Sequence, residues 1–369
     1  MLGVAVASLA LLGYTYLGYP LLIGILARLF PMRVAVDPGH QPAVTVCIAA
    51  YNVAAYLDAK LRSLMDQDYP ADKVEILVYS DGSTDATDDV VRGFAARDGR
   101  IRLIRGDVRS GKPTALNRMR EAARGELLLI TDSRQPLAPG ALSALCAMMI
   151  DLSVGAVTGN LILRGPAGSG FYWRYETWIR RHEARFRSVV GMTGPVSIVR
   201  AADLAPLPDD VILDDVLIPM RLRLRRRKVL FCEAARAYDD AFADGREFGR
   251  KVRTLAGNYQ IFRWMPQLLL PFVNPSWFET LSHKALRLVC PWGLVALFAA
   301  SLAGAAASEG AAGALLRLLL VCQLAFYAAA AVGPRGGRVA GVARTFVVLH
   351  AAAVVGLWRH LTGRQKITW

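Results

Sequence analysis

The sequence is short of the features that mark several large classes of protein. Its five cysteines (Cys47, Cys146, Cys232, Cys290 and Cys322) are scattered, odd in number and free of any Cys-x-x-Cys pair. That excludes a zinc ribbon and a disulfide scaffold and leaves reduced thiols as the expectation. Charged residues make up only 20% of the chain, below the roughly 25% of ordinary soluble domains. Between Met1 and Ala27 there is no charged side chain at all. Acidic residues are the scarcer sign, 30 against 44 basic ones, for a formal charge of +14. Such an excess suits nucleic acid, an anionic membrane or a phosphate-bearing substrate, and by itself selects none of them.

What the chain has in quantity is apolar sequence. With 54% hydrophobic residues in 369 and a mean hydropathy of +0.32, it reads as one soluble domain of ~200 residues plus membrane segments. The uncharged N-terminal stretch exceeds the ~20 residues needed to span a bilayer. No basic stretch precedes it and no small-residue cleavage site closes it, which favours a span over a signal peptide. Arg28 and Arg33 follow and put the next residues in the cytoplasm. Near the other end, Trp277 to Arg287 mixes aromatics with His283 and Lys284, as an interfacial helix does. Three apolar segments follow, at about 288–307, 312–332 and 339–358. Arg344 and His350 interrupt the last, and Arg359, His360, Arg364 and Lys366 come after it. That segment is expected to stay at the interface and leave Trp369 cytoplasmic. The expected organisation is a transmembrane helix at 1–30, a soluble domain at 43–265, an interfacial helix at 266–287 and a transmembrane region at 288–369.

Inside the central domain, short apolar runs (Val44 to Ala49, Val74 to Tyr79, Ile101 to Ile104, Leu127 to Thr131) alternate with helical patterns. This predicts an α/β fold with a mostly parallel sheet and a ligand crevice at the carboxyl ends of its strands. The strand ends carry Ala49-Ala50-Tyr51-Asn52, Ser80-Asp81-Gly82-Ser83-Thr84-Asp85 and Thr131-Asp132-Ser133-Arg134. An aromatic face stacks a base, one carboxylate accepts a base N–H, and another holds a divalent ion against a diphosphate. Singly, Asp81, Asp85 and Asp132 suit turns and helix caps equally well; together at one sheet edge they point to a nucleotide. Gly111-Lys112 lacks the spacing of an ATPase phosphate loop, and Lys112 alone also suits a solvated cation at a helix start. Asp214-Asp215 is either an N-cap pair or a general base with its neighbour, tuned upward by burial and like charge.

The ordered set of these motifs, with Gly111-Lys112-Pro113-Thr114-Ala115-Leu116-Asn117, Gly191 to Arg200, Leu213-Asp214-Asp215 and Arg250-Lys251-Val252-Arg253, resembles the membrane-bound family 2 glycosyltransferases of the cellulose, hyaluronan and poly-N-acetylglucosamine synthase type. The resemblance implies a GT-A, Rossmann-like nucleotide-sugar domain. It also implies that Tyr51 and Asp81 hold the uracil of a UDP-sugar, with Ala49 and Asn52 on the same edge. Lys112 would sit near the nucleotide, Asp132 would ligate Mg²⁺ or Mn²⁺, Asp215 would be the base and Asp214 its orienting partner. Two registers compete for the family's Gln-x-x-Arg-Trp motif. The literal match is Gln260-Ile261-Phe262-Arg263-Trp264, whereas Arg250-Lys251-Val252-Arg253-Thr254 lies closer to the distance from Asp215 that the family usually shows, and Arg253 is favoured for the diphosphate. Trp264 suits an acceptor platform or an interfacial anchor. The sequence departs from the family at Val53, where an acidic residue is usual, and at Asp132-Ser133-Arg134, which keeps one carboxylate of the Asp-x-Asp metal motif. One is still workable for Mg²⁺, and Arg134 itself could meet the diphosphate.

Two basic stretches are expected to face lipid rather than nucleic acid: Arg221 to Lys228, and the Arg- and aromatic-rich run Phe171 to Arg187, with His182 on the surface. The resulting expectation is an inverting glycosyltransferase of a bacterial-type inner membrane. It would move a sugar from a UDP donor to a glycan or lipid-linked acceptor, with no nucleic-acid partner. A polyprenyl-phosphate monoglycosyltransferase and a catalytically dead membrane-anchored nucleic-acid or polysaccharide binder are the alternatives. A transporter is disfavoured by the large soluble domain.

Overall fold

The computed structural model describes residues 1–164, 170–240 and 246–365. Seven strands, β1 (Val44–Ala50), β2 (Val74–Asp81), β3 (Ile101–Gly106), β4 (Leu127–Asp132), β5 (Val154–Arg164), β6 (Ser197–Arg200) and β7 (Lys228–Asp240), form one sheet in the order β3-β2-β1-β4-β6-β5-β7. Only β6 runs antiparallel to its neighbours. Every residue of β1 is buried, as a central parallel strand covered on both faces requires. One face packs Val46, Ile48, Leu57 and Leu61, and the other packs Cys47, Leu77, Met119 and Leu217. The chain direction across the sheet reverses between β1 and β4, so their carboxyl ends open a crevice. Ala49 pairs directly with Asp132 there. Strands β2 and β4 run a residue or two past the expected ends, which takes Asp81 and Asp132 into the sheet edge.

The helices that matter for the site are α1 (Leu2–Leu29), α2 (Ala54–Met65), α3 (Thr87–Ala95), α4 (Lys112–Ala122), α5 (Ala141–Ala147), α6 (Gly170–Phe186), α7 (Asp214–Leu224), α8 (Arg246–Trp264), α9 (Trp277–Ala307), α10 (Gly310–Val332) and α11 (Gly337–Leu361). Helix α1, α9 and the α10–α11 stretch are long and apolar enough to cross a membrane. Helix α1 serves two bodies. Its first half packs Ala5 against Leu297, Ala300 and Leu316, while its second half packs Tyr19 and Ile23 against Ile179 of α6. The stretch expected as an interfacial helix at 266–287 instead begins irregularly. The Asn274 side chain donates to the Leu268 carbonyl and the Thr280 hydroxyl, and helix then runs unbroken from Trp277 into Ala307.

Helix α10 returns antiparallel along α9, with Gln323 donating to Ser301 and Leu316 packed on Gly304. Its end therefore lies roughly level with Leu288 in α9, where Tyr259 of α8 donates to the Leu288 carbonyl. Helix α11 packs on both α1 and α8. Phe346 and His350 pack on Tyr16, the His360 ring stacks on Tyr259, and Gly356 lies against the α8 backbone, where an added Cβ would be 2.9 Å from Ala256 N. Lys366 and Trp369 lie outside the described residues.

Candidate active site

On one side of the crevice the functional residues are fixed by backbone turns. Both Asp81 carboxylate oxygens accept amide protons, from Ser110 at 2.7 Å and Gly111 at 2.8 Å. Gly82 (φ +69) and Gly111 (φ +95) supply left-handed conformations that other residues adopt only with strain. Asn52, itself at φ +50, accepts the Thr84 N–H at 2.8 Å and donates its own amide to Ser83. Asp85 caps two chain turns, accepting from Ala54 N and Thr87 N. Asn52, Asp81 and Asp85 thus build the loops beneath the crevice. Tyr51 is the aromatic surface above them, and the Arg109 guanidinium lies 3.8 Å from its ring centroid, a cation–π stack. The sequence reading missed Arg109; its place between β3 and Gly111-Lys112 was the available signal.

Lys112 occupies the centre. Its ammonium is 3.0 Å from Asp132 Oδ1 and 3.1 Å from Asp214 Oδ2, joining the end of β4 to the start of α7. Burial opposes that charge, but Asp132, Asp214 and Asp215 hold Lys112 firmly protonated. For Asp132, burial pushes the carboxyl up and is outweighed by Lys112, Lys60 and Arg134, leaving it below its ordinary value. Lys60 was not foreseen. It is fully buried and donates at 2.6 Å to both Thr131 Oγ1 and the Gln135 carbonyl, fixing the chain on either side of Asp132. Its burial lowers its pKa to about 7, against the pull of Asp132. Arg134 leans toward Asp239 of β7, 3.9 Å away.

Among the described residues, no three His, Cys, Asp or Glu side chains converge as a metal cage. Asp132 offers one carboxylate whose Oδ2 faces Gly194; a Cβ there would sit 2.9 Å from it. A hard divalent ion that draws its other ligands from a diphosphate and water fits this donor set; an all-protein site does not.

The acid pair opens α7. Three residues of α8 fasten the chain before it. Gln260 accepts from Ile212 N at 2.9 Å and donates to the Asp210 carbonyl at 2.8 Å, and Arg253 donates to the Ile212 carbonyl. Gly257 leaves room for Leu213, whose Cγ is 2.5 Å from where a Cβ would stand. Met192 N donates to the Asp215 carbonyl at 2.7 Å. Burial and then Asp214 raise the Asp215 carboxyl to about 6, with Lys112 and Lys284 opposing.

Several expected site residues stand elsewhere. Arg263 lies roughly 80° round the helix from Arg253, at 100° per residue. It is exposed and lies near His360 of α11. Trp264 packs half-buried against the domain core, and Gln260 holds a loop. Arg250 sits half-buried one turn before Arg253. The Arg221–Lys228 run is largely structural: Arg221, Arg223 and Arg227 donate to the carbonyls of Pro206, Arg227 and Leu152, and Lys228 pairs with Asp151. His182, expected on the surface, is half-buried with its ring 3.9 Å from that of Trp178.

Residues 45–201 match the family model described as glycosyl transferase family 2. An N-acetylglucosaminyltransferase of Rhizobium meliloti (strain 1021) is 34% identical over 186 residues, 47% of this chain and 43% of that protein. One of Mesorhizobium japonicum is 30% identical over 56% of this chain and 51% of its own length. The chain thus spans about half the length of these relatives or less. A mannosyltransferase of Pyrobaculum calidifontis, solved in complex with GDP-Man and Mn²⁺, superposes with a TM-score of 0.78 at 25% identity, covering 98% of this chain and 99% of that one. The fold is GT-A, with apolar helices at both ends.

Proposed function

We propose that this chain, which carries a family 2 glycosyltransferase domain, transfers a sugar with inversion from a nucleoside diphosphate sugar to an acceptor hydroxyl at a membrane surface. The observation that carries the reading is the chain Asp132–Lys112–Asp214 with Asp215 beside it. It joins an anion-compensated donor edge to a carboxylate raised toward neutrality. Tyr51 and Arg109 offer the base a stacking slot, and Lys112 lies where a diphosphate meets the sheet edge. A divalent ion held by Asp132 would neutralise charge developing on the leaving diphosphate. Asp215 takes the acceptor proton, the acceptor oxygen bonds to the anomeric carbon from the opposite face, and the nucleoside diphosphate leaves with the electron pair. An α-linked donor yields a β-linked product. Arg253 and Gln260 act through the 210–212 loop, which they hold in register with the acid pair.

A UDP-sugar is the first donor reading. A GDP-sugar is the second, favoured by the near full-length match to the GDP-Man-bound mannosyltransferase. The acceptor is a glycan or lipid-linked sugar presented at the cytoplasmic face. That orientation is supported by Arg28, Arg33, Arg335 and Arg338, which lie at or near the ends of the apolar helices on the side of the central domain. Nucleotide release by the purified chain with UDP-GlcNAc and with GDP-mannose, with and without Mn²⁺, tests the reading. Proton NMR of the anomeric product reads the stereochemistry. No release from either donor, or a retained configuration, overturns it.

A further inference from the structure

Lys284 lies on the membrane side of Asp215, one helical turn before the apolar run of α9 begins at Leu288. Its Nζ is 3.3 Å from the point a Cβ on Gly191 would occupy. The next residue, Met192, binds the Asp215 carbonyl, and Lys284 is one of the two cations that offset the upward shift of Asp215. Among the described residues, Lys284 forms no hydrogen bond or ion pair.

Asp215 and Glu176 favour its charge from a distance, and Arg180 and Arg287 oppose it. Arg180 reaches the same loop and donates to Thr193 Oγ1 at 2.7 Å. Two carboxylates of α6 already hold other partners. Glu176 accepts from Arg287 through one oxygen and faces His283 through the other. Glu183 faces the second His283 nitrogen and accepts from Tyr19. Arg287 in turn lies between Tyr16 and Tyr175, at the level where α1 passes from the apolar bundle to the catalytic domain. A half-buried ammonium with a cationic neighbour and no direct ion-pair partner among the described residues, beside Asp215 and at the foot of the apolar helices, suits an anion brought from the bilayer.

We propose that Lys284, with Arg180 beside it, binds the phosphate of a phosphate-linked lipid acceptor, so that the sugar carried on that phosphate presents its hydroxyl to Asp215. This rests on the reading of Asp215 as the base. The hydroxyl proton passes to Asp215, the new bond forms at the donor's anomeric carbon, the bond to the diphosphate breaks, and the acceptor's own phosphate is unchanged. Lys284 is a specificity residue: it makes a sugar hanging from a phosphate a better acceptor than the same sugar on a neutral stem.

The test uses the full chain in nanodiscs. The acceptors are glucose, N-acetylglucosamine and mannose, each joined to a farnesyl chain either through a diphosphate or through an ether. The expected result is a KM at least about tenfold lower for the diphosphate-linked acceptor. Lys284→Met erases that preference, Lys284→Arg keeps most of it, and donor affinity by titration, which also reports folding, is equal in all three proteins. Equal use of both stems by the wild type, or a Lys284→Met loss that is the same for both, overturns the proposal. So does a Lys284 effect that follows the phosphatidylglycerol content of the nanodisc rather than the acceptor phosphate. If the wild type releases no nucleotide with any acceptor, the transferase reading itself falls, and this proposal with it.

Discussion

The two sides of the crevice are built by different means. The proposed donor side is a row of strand ends: Asp81 and Asp132 close the buried strands β2 and β4, Tyr51 follows β1, and short turns with positive φ at Asn52, Gly82 and Gly111 lie beside them. The acceptor side gathers Asp215, Arg253, Gln260 and Lys284 from three separated helical segments, and its register depends on α8 holding the 210–212 loop. The donor side is therefore local and stiff. The acceptor side inherits its geometry from packing between the catalytic domain and the apolar helices.

If that division is right, changes on the two sides should separate donor binding from transfer. The largest effect is expected at Asp215→Asn, which removes the base and lowers kcat by about 10²–10⁴-fold with donor affinity unchanged. In the wild type, kcat/KM should fall as pH drops through about 6, because the carboxyl held at that value by burial and Asp214 becomes protonated and no longer accepts the hydroxyl proton. The asparagine variant should lack that acidic limb. A variant that keeps the limb would assign it to another group and leave Asp215 outside the chemistry.

The complementary break is Asp132→Ala. Donor affinity should drop roughly tenfold to hundredfold, about 1.4–2.8 kcal/mol, and the gain from added Mn²⁺ should vanish. Lys112 would also lose one of its two carboxylate partners. Titration of the donor with and without metal reads both effects. A metal response that survives in the variant would locate the ion away from β4.

The unequal legibility of the two sides has the same physical origin. Strand periodicity is a short-range signal, so the sheet and the gathering of Asp81 and Asp132 at its edge could be read from spacing, whereas a nucleotide role for Lys112 came from the family resemblance. For Asp81 the turn reading and the base reading stayed open, because a carboxylate that binds backbone amides looks in sequence like one that binds a base; Asn52 as a loop builder carried no signal of its own. Lys60 belongs to no motif, and its role is set by Thr131 and Gln135, which are distant in sequence. The basic run ending at Lys228 looked like a lipid-facing patch because no sequence rule reports which carbonyls its arginines reach. Lys284 was read as part of an interfacial segment, and its approach to Asp215 is set by tertiary contacts alone.

A smaller effect should follow from Gly356→Ala, which tests whether α11 controls the acceptor side through α8. The added methyl would meet backbone atoms, 2.9 Å from Ala256 N and 3.1 Å from Val252 O, so the helices must separate. Overpacking of this kind costs about 1–3 kcal/mol. Thermal unfolding in detergent should register it, and kcat should fall more than donor affinity. Equal losses in both would mean that α8 supports the whole crevice and that the two sides are not independent.

The smallest expected effect sharpens the assignment within α8 itself. Arg263 belongs to the literal Gln-x-x-Arg-Trp match, whereas Arg253 does not, yet only Arg253 donates to the loop that precedes the acid pair. One turn is about 3.6 residues, so Arg253, Gly257 and Gln260 share a face turned toward Leu213, and Arg263 falls off it toward His360 of α11. An exposed arginine away from the site contributes within about 0.5 kcal/mol. Arg263→Ala should therefore change kcat/KM by less than about twofold, while Arg253→Ala should lower kcat well beyond that by freeing the 210–212 loop. A tenfold loss in Arg263→Ala, measured under the same donor saturation, would mean that α8 turns on substrate binding and that the face seen here is not the one that works.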